Sequence, residues 1–248
     1  MNKKNIVVLF ALSALLTSCS SNIREELLNF LDPMTIDRAI LNTNKAYMEY
    51  RFVSKDNTTN EVTNYSISYY YFDKTSEDNY YVHKANFYKG SYMNPETRII
   101  QEVVTFNHLS DDKYEKVTTS LTLDGDVTQN NEETNKDTTY DFIEDFFFTT
   151  VQNDVHSGGY YYAEDIGVII SYQDFMTISE DKKFLTVNFE DFVLEGVTNS
   201  LTYTINTLGM LVNYSMHSYD ESQTLDGTIT IKYNNEANDF DLDNMEDI

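Results

Sequence analysis

The chain has 248 residues, with 41 Asp+Glu against 17 Lys+Arg and a formal charge of −24. A surplus of acid this large repels nucleic-acid phosphates, and no basic stripe offsets it. With 41% hydrophobic and 14% aromatic residues the composition is that of a folded body, not of a disordered chain. A mean hydropathy of −0.47 and a single long apolar run exclude a polytopic membrane protein.

That run lies at the start. Lys3 and Lys4 precede an apolar stretch over residues 6–16, followed by Thr17, Ser18 and Cys19. It is too short to span ~30 Å of hydrocarbon and reads as a secretory signal. The segment Leu16-Thr17-Ser18-Cys19 resembles the lipobox of bacterial lipoproteins. The resemblance implies cleavage before Cys19 and diacylglyceryl transfer to its thiol. It also implies a body held by acyl chains on the outer side of the cell membrane, or at an outer membrane in a cell that has one. Two or three acyl chains, each CH₂ contributing ~0.8 kcal/mol, suffice as an anchor. Loss of Lys3 and Lys4 with the leader would take the charge from −24 to −26. Cys19 is the sole cysteine, so its acylation leaves no thiol for a disulfide, a nucleophile or a zinc site. The expected organisation is a signal peptide over 1–18, an anchor and tether over 19–21, one domain over 22–240, and an acidic tail over 241–248. No glycine-rich phosphate loop is present, and no cofactor is expected.

Behind the anchor, Asn22 and Glu25 match a capping box, and Ile23, Leu27, Leu28 and Leu31 share a helical face. Asp32-Pro33 is suited to start a second short helix reaching residue 42, with Ile36, Ala39 and Ile40 inward. From 46 to 124 the period falls to two. Met48, Tyr50 and Phe52 alternate with polar neighbours, as do Tyr65, Ile67, Tyr69 and Tyr71, and later Val117, Thr119, Leu121 and Leu123. Polar clusters at 56–60, 73–79, 90–95 and 110–112 mark turns. The wholly polar stretch 124–137 reads as an exposed loop. Residues 139–153 then predict the one strong helix of the body, with Phe142, Ile143, Phe146, Phe147, Thr150 and Val151 on a wide apolar stripe. Alternation returns at 166–170, at Leu185, Val187 and Phe189, and at Leu201, Tyr203 and Ile205. A turn at 206–209 leads into Met210, Val212, Tyr214 and Met216, and Leu225, Ile229, Ile231 and Tyr233 form a last strand. The acidic segment after 235 is expected to fray, with Phe240 and Leu242 able to dock.

Strand runs without alternating helices predict an α+β fold with a strongly curved antiparallel sheet, a half-barrel of about ten strands. The helix near 139–153 is placed on its concave side. This element order resembles that of the LolA/LppX-like lipoproteins and lipoprotein carriers. The resemblance implies an apolar cavity between helix and sheet and the binding of lipids or lipoprotein acyl chains.

On that reading Phe142, Ile143, Phe146 and Phe147 face Tyr69, Tyr71, Leu121 and Tyr203 across a space for a hydrophobic ligand. The alternative is that the same residues close-pack as an ordinary core. The runs Tyr69-Tyr70-Tyr71, Tyr80-Tyr81 and Tyr160-Tyr161-Tyr162 are each expected to expose a ring, because consecutive strand residues face opposite ways. Exposed rings would suit a protein or glycan partner, which is the alternative function. His83, His108, His156 and His217 show no metal-binding or catalytic spacing, and no serine-nucleophile elbow occurs. Asp239, Asp241 and Asp243 imitate only the first half of a calcium loop. The expectation is a monomeric, non-enzymatic, membrane-anchored binding protein without metal.

Overall fold

The computed structural model describes residues 43–75, 81–110, 112–135, 176–194, 196–208 and 210–242. The alternating segments become six strands, β1 (Lys45–Asp56), β2 (Val62–Asp73), β3 (Tyr81–Lys89), β4 (Ile99–Ser110), β5 (Lys113–Thr122) and β6 (Val127–Asn135). Five more follow: β7 (Met176–Ile178), β8 (Phe184–Leu194), β9 (Val197–Asn206), β10 (Leu211–Tyr219) and β11 (Gln223–Tyr233). All eleven join one open antiparallel sheet in the order β6-β5-β4-β3-β2-β1-β11-β10-β9-β8-β7. Two meanders therefore run outward from the centre, where β1 and β11 pair from Ala46↔Tyr233 to Asp56↔Gln223. The edges are β6 and β7. The described residues contain no α-helix, only 3-10 turns at Gly90–Tyr92 and Asn234–Glu236. The helices predicted over 22–31, 33–42 and 139–153, and the strand over 166–170, lie outside the described residues.

Both ends of β1 are tied to its neighbours by turn chemistry. At one end Asp56 Oδ1 accepts the backbone N–H groups of Thr58 and Thr59, each at 2.8 Å, which is how a short carboxylate closes a turn. Asn57 then donates to the Asp220 carbonyl at 2.9 Å and accepts from Thr224 at 2.7 Å, joining the β1–β2 and β10–β11 turns. At the other end Lys45 pairs with Asp73 at 2.8 Å. Gly90 sits at φ +66 where an added Cβ would collide with Asn64 Oδ1 and the Thr63 carbonyl, so glycine is required there for both backbone and space.

Strand parity gives the sheet two distinct faces. The first carries Met48, Tyr70, Val82, Val104, Leu185, Leu201, Tyr203 and Ile231, members of one buried cluster reaching from Tyr114 on β5 to Leu185 on β8. The second carries a smaller cluster of Ile67, Tyr69 and Ala85, joined by half-buried Tyr47, Phe87, Val103 and Phe240. Phe240 therefore docks, as its apolar character predicts. Register shifts at Ser54/Lys55, Ile99/Gln101, Phe189/Phe192 and Leu211/Asn213 bend the strands, in keeping with a curved sheet.

Three expectations need correction. Residues 127–135 are not loop but an edge strand, fully paired with β5 from Lys113↔Asn135 to Leu121↔Val127. It is polar on both sides because almost every residue is exposed, so it has no apolar period to read. In β10 the irregularity puts Leu211, not Val212, opposite Ile205 on the first face. The run Tyr69-Tyr70-Tyr71 exposes no ring: the three residues are 7%, 3% and 4% exposed. The alternation argument holds, since Tyr69 and Tyr70 enter opposite clusters, but both faces of β2 are covered.

Candidate functional site

The strand register separates the four sheet positions expected to line one cavity. Tyr69, Tyr71 and Leu121 point to the second face, and Tyr203 points to the first. Leu121 is three strands from Tyr69, roughly 14 Å at the usual strand spacing. Tyr71 donates to Asp73 Oδ2 at 3.3 Å, and Tyr203 packs 5.1 Å from the Tyr214 ring. The structure does not bring these four together. Phe142, Ile143, Phe146, Phe147 and Cys19 lie outside the described residues.

Two concavities do form, one on each face. The first-face pocket, about 300 Å³, spans β3 to β6. Its register is regular: Lys84 lies opposite Val104, Phe106 opposite Lys116, and Lys116 opposite Glu132. Val104 and Phe106 give it an apolar floor, 5% and 2% exposed. Lys84 stands beside that floor with its ammonium 5.2 Å from the Tyr70 ring centroid, a cation–π distance. Burial pulls its pKa below the ordinary lysine value, with Lys116 adding to the effect and Glu102 opposing it. Asn86, wholly buried, donates to Glu102 Oε1 at 3.3 Å, and its own Oδ1 has no hydrogen-bond partner. Burial and then Glu102 raise the neighbouring Tyr88 hydroxyl to about 12.

The second-face pocket, about 420 Å³, lies over β2, β1 and β11 beneath the segment that follows the turn at Asn234–Glu236. Tyr47, Tyr69 and Phe240 form its aromatic walls, and Glu49, Arg51, Lys232 and Asp241 stand around them. Tyr69 is the one predicted ligand residue that lines a described pocket. Burial, then the Glu49 charge, raises the pKa of the Tyr47 hydroxyl, which is therefore a neutral donor across the physiological range.

Sequence reasoning missed the charged members of both pockets. Lys84 gave no signal, because its strand carries apolar residues at both parities, Val82 on one face and Ala85 and Phe87 on the other. Arg51 and Lys232 had none either, because they are remote in sequence and come to line one pocket only through the β1–β11 pairing. Of the histidines, His83 Nδ1 lies 3.0 Å from Asp239 and His217 Nδ1 lies 2.7 Å from Asp226, while His108 packs on the Tyr114 ring. Among the described residues no three His, Cys, Asp or Glu side chains converge as a metal site. Asp239, the first of the calcium-like aspartates, faces His83 instead.

No family model matches the chain. No curated protein matches it either. Solved structures overlap with it loosely. A DUF1329 family protein from Desulfovibrio piger is 8% identical over 85% of this chain and 93% of its own, with a TM-score of 0.25. A domain from Vibrio parahaemolyticus, described as an outer membrane lipoprotein-sorting protein, is 6% identical over 83% and 93%, with a TM-score of 0.22. A de novo designed transmembrane β-barrel is 8% identical over 75% and 95%, at 0.17. At TM-scores this low the likeness carries no inference about fold or function.

Proposed function

We propose that this chain is a lipid-anchored extracytoplasmic protein that binds an amphiphile, an acyl chain with an anionic head, and performs no covalent chemistry on it. The anchor rests on the lipobox-like Leu16-Thr17-Ser18-Cys19. The binding role is supported above all by the first-face pocket, where a lysine with a depressed pKa stands at the edge of an apolar floor. Lys84, with Glu102 and Lys116 near it at the rim, can extend a charge-assisted hydrogen bond to an anionic head. Val104 and Phe106 would take the adjoining methylenes, each contributing ~0.8 kcal/mol when buried. The volume is at the small end for ligand pockets, so it would hold the head and the first part of a chain.

The test uses the full chain with Cys19→Ser, which removes its own acyl groups, and a fluorescent fatty acid as the probe. Saturable binding is expected, with Lys84→Met weakening it about tenfold, as one lost charge-assisted hydrogen bond implies. Val104→Gln should weaken it as well. Failure of the probe to bind, or binding by both variants as tight as that of the parent, would reject the proposal.

A further inference from the structure

The second-face pocket has a different chemistry. After β11 the chain turns at Asn234, whose side chain accepts the Asn44 backbone N–H at 3.0 Å, and then crosses over the sheet. Asp239 is held to His83, and the Phe240 ring lies 5.8 Å from the His83 ring and 6.2 Å from that of Tyr69. These contacts fasten the segment at β2 and β3. They leave open the space over Tyr47, between the segment and the strand pair β1–β11.

Aromatic rings offer flat apolar faces with negative quadrupoles, which attract slightly positive C–H groups. Around them stand Glu49 and Asp241 against Arg51 and Lys232, with Glu49 and Arg51 3.6 Å apart. An acyl chain is a poor fit, because the pocket has no aliphatic floor like Val104 of the first face and its rim would lose water without gaining hydrogen bonds. A small anion would leave the rings unused and meets the Glu49 and Asp241 carboxylates. An organic cation meets Arg51, and Lys232 already lies 5.8 Å from the Tyr47 ring centroid. A neutral sugar satisfies every element. One face of its ring is C–H and can stack on a tyrosine, and each hydroxyl both donates and accepts. A single hydroxyl can therefore bridge a carboxylate and a guanidinium.

We propose that this pocket is a second, separate binding site, for a neutral saccharide of one or two rings stacked on Tyr47, whose ring is half-exposed where that of Tyr69 is buried. Its rim hydrogen bonds come from Glu49, Arg51 and Lys232. The site is independent of the amphiphile pocket, which lies on the opposite face of the sheet.

The test is saturation-transfer NMR on the full chain with Cys19→Ser. The probes are glucose, galactose, N-acetylglucosamine and their β-linked disaccharides, with alanine and choline as charged comparisons. Binding of at least one neutral sugar is expected, with saturation strongest on its ring C–H protons. Arg51→Gln and Tyr47→Ala should each weaken it at least tenfold, whereas Lys84→Met should leave it unchanged. Arg51 is partly exposed, so its variant should fold and carry the test even where Tyr47→Ala does not. The proposal falls if no sugar in the panel binds, if Arg51→Gln binds as well as the parent, or if alanine or choline binds in place of the sugars. Loss of sugar binding in Lys84→Met would also overturn it, by removing the independence of the two sites.

Discussion

The two faces of β2 differ in what buries them. On the first face Tyr70 and Phe72 belong to a cluster built from nine of the eleven strands, β1 to β5 and β8 to β11. On the second, Ile67 and Tyr69 belong to a cluster of three buried residues, extended by Phe240 from a segment outside the sheet. A face covered through its own strand neighbours has many partners for each side chain. A face covered by one crossing segment depends on a few contacts. The first is therefore where most of the stability resides, and the second is held by contacts that can open locally at less cost.

The largest expected effect tests that difference directly. Phe72 is 1% exposed at the centre of the first face, and Phe72→Ala should cost about 3–5 kcal/mol in urea unfolding. Phe240→Ala on the second face should cost about 1–2 kcal/mol, because its site is half-open and can refill with water. Equal losses would mean that the crossing segment is as integral as the core.

Lys84 is a cation withdrawn into the first face, between the Tyr70 ring and the floor of Val104 and Phe106, with Glu102 and Lys116 nearby. Its folded pKa lies below the unfolded value, so between the two the unfolded chain binds more protons and stability rises with pH. Lys84→Met should flatten that rise, seen by melting between neutral and alkaline pH. It should stabilise the protein at pH 7 by about 1 kcal/mol, as expected when a buried charge gives way to an apolar group of similar length. A destabilised variant would mean that the ammonium's contacts with Tyr70 and Glu102 outweigh its desolvation. The same substitution should weaken the fatty-acid probe, so stability and binding are expected to move in opposite directions.

How much of this was legible in the sequence follows from the same contrast. First-face positions on β1, β8, β9 and β11 were readable because one side is apolar and the other polar. Met48, Leu185, Leu201, Tyr203 and Ile231 all fall where alternation puts them. β6 was illegible because an exposed edge strand has no inside. The first-face site of Leu211 was illegible because one extra residue at a bulge resets the parity. Tyr69 to Tyr71 were misread for a third reason: local alternation tells which rings share a face, but not that residues some 170 positions later will cover one of them. The candidate pockets lay further from view, since Arg51 and Lys232, or Lys84 and Lys116, come to share a pocket only through strand pairing.

Gly227 probes the packing more finely. It lies on the first face opposite Phe52, and an added Cβ would sit 2.6 Å from the Phe52 ring. That ring also stacks on Tyr50 at 4.6 Å, so it can yield only by losing this contact. Gly227→Ala should cost about 1–2 kcal/mol by overpacking. Adding Phe52→Leu should recover part of the loss, and the double-mutant cycle measures the coupling. Additive costs would mean that the strain is not between these two residues.

The smallest effect belongs to the edge, where neither face is buried. Lys113 pairs with Glu133 and Lys116 with Glu132, both across the β5–β6 ladder. In a chain of charge −24 these lysines also relieve repulsion among neighbouring acids on β6. Exposed pairs are each worth about 0.2–1 kcal/mol. Lys113→Ala should therefore lower stability only slightly at low ionic strength, and by almost nothing at ~1 M salt, where the screening length is roughly 3 Å. Lys116→Ala should show the same salt dependence with a larger residue, because the Lys116 stem also lines the first-face pocket. If high salt erased both losses equally, Lys116 would act there by charge alone, and its stem would add nothing to the apolar floor on which an acyl chain is proposed to lie.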